Sequence, residues 1–294
     1  MKKALLVGIN YHDTDYRLFG CINDVVNLKS LFVSQMGYKA SNITTLRDDV
    51  LTPTIQPTRE NILNELTKLV AESAYCSEIW FCYSGHGSQF PDRNREESDG
   101  LDELIVPVDY TTKGFILDDA INQILQRSKC RTILLFDSCS SGSVCDLPWC
   151  FEFKNQFQFN RRLENYSSLG KWRNPLVYMM SGCKDYQTSS EVYNESTREF
   201  NGQFTAAFID CVRALRWNTK LLILYRNICM HLQQQNSTQL PILSSSSFQV
   251  PNIDILQPVS LMKDIIVTSN SKSVNVETKN SYSEKRNFRK LAFL

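Results

Sequence analysis

Histidine is scarce in this chain, with three among 294 residues, so imidazole chemistry must fall to very few positions. Net charge is nearly absent too: 32 Lys and Arg stand against 31 Asp and Glu, for a formal +1. That balance argues against nucleic acid as the main partner. The small charge is unevenly spread. Residues 270–294 carry six Lys or Arg and two Glu, which makes them +4 and leaves −3 on residues 1–269. A slightly acidic body suits a basic ligand better than an acidic one. No apolar run approaches the ~20 residues of a membrane span, and the six apolar residues in the opening MKKALLVGIN are too few for a secretory leader. The ten cysteines include no CxxC pair, which removes the common zinc and thioredoxin-type readings, and they are too scattered for a disulfide scaffold. Neither GxGxxG nor GxxxxGK[ST] occurs, so a nucleotide-binding module is disfavoured. A soluble, monomeric, cytoplasmic protein with reduced thiols and no membrane contact is expected.

What is present is an alternation of strands and helices. KALLVGI (3–9), EIWFCYS (78–84) and RTILLFD (131–137) are nearly continuous apolar runs, as strands covered on both faces require. Between them Ile62, Leu63, Leu66, Leu69 and Val70 form a helical stripe, and Leu117, Ile121, Ile124 and Leu125 form another. This pattern predicts an α/β fold with a mostly parallel central sheet flanked by helices. Residues 1–150 make a large part. Residues 151–175, aromatic, basic and rich in Asn and Gln without clear periodicity, read as a linker or surface loop. Residues 176–262 make a smaller α/β part: LVYMMSG (176–182) is a strand, two amphipathic helices follow, and PILSSSS (241–247) adds a short strand. Composition predicts a disordered basic tail over 263–294.

Two segments can carry chemistry. His86 stands in Tyr-Ser-Gly-His-Gly-Ser (83–88) and Cys139 in Asp-Ser-Cys-Ser-Ser-Gly (137–142), each directly after a buried strand. Open α/β sheets place their sites at such carboxyl ends. A thiol and an imidazole brought together there form a nucleophile and a base: the ring takes the thiol proton and later protonates a leaving amine. His12 and His231 lack such a setting and read as surface residues.

The chain resembles the metacaspases, a family of caspase-like cysteine peptidases. The matching segments are ALLVGINY, GCINDV (20–25), YSGHGS (83–88), DGLDELIVPVD (99–109), ILDD (116–119), DSCSSGSVCDLP (137–148) and SGCKDYQTS (181–189). They occur in the family's order between residue 3 and about residue 247. The separation of 53 residues between His86 and Cys139 also lies near the ~50 of caspases. One departure is visible: the residue after the nucleophile, usually His in the family, is Ser140 here. Neither the family's N-terminal extension nor its long linker is expected.

The resemblance implies a cysteine endopeptidase with His86 and Cys139 as catalytic dyad. It implies a pocket at Asp24, Ser84 and Asp137 for a basic residue at P1, the position before the cleaved bond. Two carboxylates flanking a slot do suit a guanidinium or ammonium group, although singly Asp24 would be read as a helix N-terminal acid and Asp137 as a strand end. The resemblance further implies Ca²⁺ as activator at Asp102, Asp118, Asp119 and Asp146, and oxygen ligands drawn from several loops suit that cation. Asp92, Glu96 and Asp99 read as solvated charges, and Cys21 as a bystander. The partners expected are protein or peptide substrates with Arg or Lys at P1. The cluster of Arg161 and Arg162 in 151–175 makes self-processing an expectation. A catalytically silent scaffold or regulator on the same fold stays open beside these readings, as does a caspase cleaving after Asp, which the acidic pocket disfavours.

Overall fold

The computed structural model describes residues 1–12, 14–49, 55–91, 101–139, 145–155, 158–182, 191–194, 198–215, 219–249 and 253–254. They fall in one unit, Met1–Val259. The expected tail at 263–294, most of the 181–189 motif, Ser140 and the charges at Asp92, Glu96 and Asp99 lie outside the described residues.

In chain order the strands are β1 (Lys2–Gly8), β2 (Ile43–Arg47), β3 (Glu78–Ser84), β4 (Gly87–Pro91), β5 (Leu101–Ile105), β6 (Ile116–Leu117) and β7 (Arg131–Asp137). They continue as β8 (Trp149–Asn155), β9 (Gln158–Leu163), β10 (Val177–Ser181), β11 (Glu191–Asn194), β12 (Glu199–Gly202) and β13 (Ile242–Ser245). The helices are α1 (Cys21–Ser34), α2 (Arg59–Glu72), α3 (Tyr110–Lys113), α4 (Asp118–Leu125), α5 (Gln203–Ala214) and α6 (Leu221–Gln234).

Eight strands form one sheet in the order β2-β1-β3-β7-β10-β13-β8-β9. The pairs from β2 to β10 are parallel, and β13, β8 and β9 add antiparallel pairs. The sheet is therefore a mostly parallel α/β sheet, as the apolar runs require. Strand alternation divides its two faces. Leu6, Trp80, Cys82, Ile133 and Leu135 pack with Leu28 and Phe32 of α1, Phe204 and Phe208 of α5, and Ile228 of α6. Their sequence neighbours Leu5, Val7, Phe81, Leu134 and Phe136 pack on the other face with Ile62 and Leu66 of α2 and Ile121 and Leu125 of α4. Each such fully buried Leu or Phe contributes about 1.5–3 kcal/mol of transfer free energy. That burial locks the strands in register and so fixes where their ends lie.

The expected linker at 151–175 is corrected in part. Its first half is a β-hairpin in which Phe151 faces Arg161 and Phe153 faces Phe159. The physical reason is a period of two that the Asn- and Gln-rich surroundings disguise: Phe151 is buried, and Phe153 and Phe159 pack against the same core, while Glu152 and Lys154 alternate with them. The residues from Glu164 to Leu176 do form neither helix nor strand. A boundary at 150/151 thus falls inside β8, and β8 lies beside β13 from the expected smaller part. One sheet runs through both.

Candidate active site

β3 and β7 are paired in parallel with Ser84 opposite Asp137. His86 and Cys139 each follow two residues later, so the register brings both to one edge of the sheet. The chain ends stay in contact beyond the strands. Gly85 N–H donates to the Asp137 carbonyl at 3.3 Å, and a Cβ built on Gly87 would lie 2.2 Å from the Cys139 carbonyl oxygen. Only glycine fits there. Cys139 is half-buried, whereas Cys21, Cys82, Cys145, Cys150, Cys211 and Cys229 are buried. Burial, and then the charge of Asp24, push the Cys21 thiol well above the ordinary thiol range, which disfavours it as a nucleophile.

The imidazole of His86 is held by a group that sequence patterns do not reveal. Its Nε2 lies 2.6 Å from the carbonyl oxygen of Tyr16. A carbonyl only accepts, so Nε2 carries the proton and Nδ1 is left with the lone pair that a base needs. Of the other histidines, His12 is half-buried in the loop before α1, and His231 lies on α6 with Nε2 2.9 Å from the Gln235 amide nitrogen.

Beside this edge the three expected pocket residues converge. Asp24 is fully buried, and Ser84 and Asp137 are each 4% exposed. Ser84 Oγ donates to Asp24 Oδ2 at 2.6 Å. Gly202 N–H donates to both Asp24 oxygens, at 3.0 and 3.1 Å, and Thr205 N–H donates to Asp137 Oδ2 at 2.8 Å. A Cβ on Gly202 would lie 2.2 Å from Asp137 Oδ2 and 2.8 Å from Asp24 Oδ2. The two carboxylates therefore press on the same glycine from α1 and β7. Burial raises the Asp24 pKa well above the carboxylate range, and Asp137 adds to the rise. Glu191, which the sequence reading missed, adds further negative charge while its Oε1 accepts from Phe19 and Gly20 N–H at 2.8 and 2.6 Å. An exposed aromatic group, Phe19, Tyr193 and Phe200, stacks nearby with ring centroids 5.6 and 5.0 Å apart. Two buried carboxylates brought this close can accept a cation.

The expected calcium residues are only partly assembled. Asp102, Asp118 and Asp146 are buried, whereas Asp119 is exposed. Asp118 is pushed up to about 9 by burial, then by Asp146 and Glu103. Its Oδ2 finds no hydrogen-bond partner among the described residues, an orphaned hard donor that would welcome a cation. Asp146, at φ 42°, accepts from the Asn122 and Asn165 amides, so much of its capacity is spent on protein. Among the described residues no group of three or more His, Cys, Asp or Glu is placed to hold a metal ion. The donor chemistry fits at Asp118, but the four-residue set does not close.

A family profile described as "Metacaspase, peptidase C14 domain" matches residues 2–148. Metacaspase-1 of Schizosaccharomyces pombe is 32% identical over 292 residues, covering 83% of this chain and 67% of that protein. Metacaspase-1 of Plasmodium falciparum is 34% identical over 266 residues, covering 85% of this chain and 41% of the relative. Metacaspase-1A of Neurospora crassa is 44% identical over 156 residues, covering 52% and 34%. The chain thus spans well under half the length of the last two. Among solved structures, a protein of Geobacter sulfurreducens superposes with a TM-score of 0.56 at 20% identity, covering 85% of this chain and 95% of that one. Caspase-1 of Spodoptera frugiperda superposes with a TM-score of 0.51 at 12% identity, covering 84% and 87%. At such identities the two structures speak to the fold, which is caspase-like. No helix among the described residues is long and apolar enough to cross a membrane.

Proposed function

We propose that this chain, which belongs to the metacaspase family, is a cysteine endopeptidase that cuts after Arg or Lys. The observation that carries the reading is the register of β3 and β7. It carries the residues two positions beyond Ser84 and Asp137, His86 and Cys139, to the same edge of the sheet, beside the buried carboxylates Asp24 and Asp137.

The reaction follows from these groups. The substrate's basic side chain enters the acidic slot, where a guanidinium can be held by two oxygens at once. That binding fixes the carbonyl to be attacked near Cys139, and such orientation lowers the barrier. His86 Nδ1 takes the thiol proton, and the thiolate attacks the carbonyl carbon. The same imidazolium protonates the departing amine, leaving an acyl-enzyme. Water then attacks with His86 as base and frees the thiol. The Tyr16 carbonyl holds the Nε2 proton throughout and keeps the ring in the tautomer that both steps use.

Calcium activation belongs to the same proposal, with Asp118 and Asp146 as the donors that would hold the ion. Bound calcium would supply positive charge beside Asp118, which burial raises first and the neighbouring acids Asp146 and Glu103 raise further. Self-processing is proposed at the exposed turn segment after β9. The deciding experiment presents purified protein with fluorogenic peptides ending in Arg, Lys or Asp, with millimolar Ca²⁺ and with a chelator. Cleavage of the first two in calcium is expected. Hydrolysis after Asp would overturn the pocket assignment, and no hydrolysis at all would leave the silent-scaffold reading.

A further inference from the structure

We propose that Tyr11 is a positioning residue for His86: its phenol, paired with that of Tyr83, clamps the backbone that carries the imidazole, and its own loop supplies the carbonyl that orients the ring. The inference rests on His86 as the base of the proposed reaction.

Where the chain leaves β3 and turns into β4, the backbone of His86 finds tyrosine hydroxyls. His86 N–H donates to the Tyr11 hydroxyl at 2.9 Å. The Tyr83 hydroxyl donates to the His86 carbonyl at 2.7 Å. Tyr11 passes its own proton to the Val106 carbonyl at 2.7 Å, and the two phenol oxygens lie 3.1 Å apart. Both rings are buried, at 1% and 2% exposure. Burial raises the pKa of both phenols above the ordinary range, so each keeps the proton that its bond requires. The clamp leaves no slack. A Cβ on Gly85 would lie 2.7 Å from the Tyr83 hydroxyl and 3.0 Å from that of Tyr11.

Tyr11 reaches this place at a cost in its own backbone. Its φ is 51°, a left-handed conformation that bulky side chains avoid and that clusters at functional sites. The turn it starts is tied off by Thr14, whose N–H and Oγ1 both bond to the Tyr11 carbonyl, at 3.3 and 2.9 Å. Thr14 Oγ1 also accepts from Tyr16 N–H at 3.2 Å, and the Tyr16 carbonyl is the acceptor for His86 Nε2. Tyr11 further packs its ring on the imidazole with centroids 4.6 Å apart. One short loop therefore holds His86 by its amide, by its ring face and by its Nε2 proton.

The test compares Tyr11→Phe and Tyr83→Phe with Tyr38→Phe, which removes another buried phenol at the opposite end of the sheet, where Tyr38 donates to Glu78 at 2.7 Å. Two readouts are taken: kcat and KM on an Arg-ended peptide, and the imidazole NMR signals, which three histidines make assignable. Tyr11→Phe should lower kcat about 10-fold with KM within about twofold, because the ring is misplaced while the pocket is intact. The His86 signals should shift or broaden while those of His12 and His231 stay. Tyr83→Phe should act in the same direction, and its result decides the matter if Tyr11→Phe fails to fold. Tyr38→Phe should leave kcat and the His86 signals alone. Wild-type kcat and unmoved His86 signals in both clamp variants would overturn the proposal, as would an equal kcat loss in Tyr38→Phe. If the wild type hydrolyses nothing, the peptidase reading fails, and the His86 signals still decide the clamp.

Discussion

Gly87 and Cys139 share a space too small for one added methyl group: a Cβ on the first would stand 2.2 Å from the carbonyl oxygen of the second. Gly87→Ala must therefore push the backbone of Cys139 away from the β3–β4 turn that carries His86. A displacement near 1 Å can cost about 100-fold in rate. Peptide hydrolysis should fall by that order while the far-UV circular dichroism is unchanged. Wild-type turnover in this variant would show that the two strand ends are not in contact.

Cys139→Ala and His86→Ala should each abolish hydrolysis, and the double variant should be no worse than either, because nucleophile and base act as one unit. Cys21→Ala should keep its turnover. Activity lost in Cys21→Ala and retained in Cys139→Ala would assign the wrong thiol.

Asp24→Asn and Asp137→Asn should each weaken Arg- and Lys-ended substrates, by about 2–5 kcal/mol for an underpaired buried cation. The loss should appear in kcat/KM for basic peptides and should open no activity toward Asp-ended ones. Measuring kcat/KM across the three peptide types decides it.

Asp118 gives the fold a dependence on pH. With its pKa pushed up to about 9 against roughly 3.9 unfolded, the folded chain holds a proton across that interval which the unfolded chain has released. Stability should thus fall as pH rises from about 4 to 9. Asp118→Asn should remove that slope and be about 1–3 kcal/mol more stable than wild type at pH 8, with little difference at pH 4. Urea unfolding at the two pH values is the check. Millimolar Ca²⁺ at pH 8 should raise the Tm of wild type and leave that of Asp118→Asn where it is.

Self-cleavage should spare the Arg161-Arg162 bond. Both residues sit in β9, paired with Phe151 and Cys150; Arg161 lies 3.5 Å over the ring of Phe248, and Arg162 pairs with Glu152 and Glu164. Peptidases need a backbone they can draw out into the cleft. Lys171 and Arg173 are exposed in the turn segment that follows, where nicking concentrates. Fragment termini mapped after incubation with calcium should fall there and be absent from Cys139→Ala.

The parts legible in the sequence were those that local pattern controls. Apolar runs marked β1, β3 and β7, and helical stripes marked α2, α4, α5 and α6, because burial on two faces or one leaves a period. His86 and Cys139 stood out because each follows such a run. Asp24, Ser84 and Asp137 could be placed only through the family likeness, since no local pattern joins residues 24 and 137. What escaped has two causes, a disguised local alternation and contacts distant in sequence. The β8–β9 hairpin hid its aromatic alternation among Asn and Gln. Glu191 reaches Gly20 across 171 residues, and the Tyr16 carbonyl that orients His86 has no side-chain signature at all. The φ of 51° at Tyr11 left no trace either, because Asn or Gly would ordinarily mark such a turn. The calcium set was legible as four acids; of these Asp146 and Asp119 both act on Asp118, Asp146 the more strongly.

The meeting of Asp24 and Asp137 over Gly202 would have a thermodynamic consequence for a cation bound there. Asp24 is raised first by burial, then by Asp137, with Glu191 adding to the rise, and Cys21 is its buried neighbour. Asp24 therefore holds its proton more tightly than a water-exposed aspartate would. In the proposed reading an arriving guanidinium would favour the ionised form and expel that proton, so the pair would work as an ion exchanger, taking one cation and giving up another. If the proposed pocket takes a basic side chain, arginine and hydrogen ion would compete for the same two carboxylates, and acidification would act as a reversible inhibitor competitive with substrate. Calorimetric binding enthalpies on Cys139→Ala should accordingly track the ionisation heat of the buffer, with protons leaving as the peptide binds.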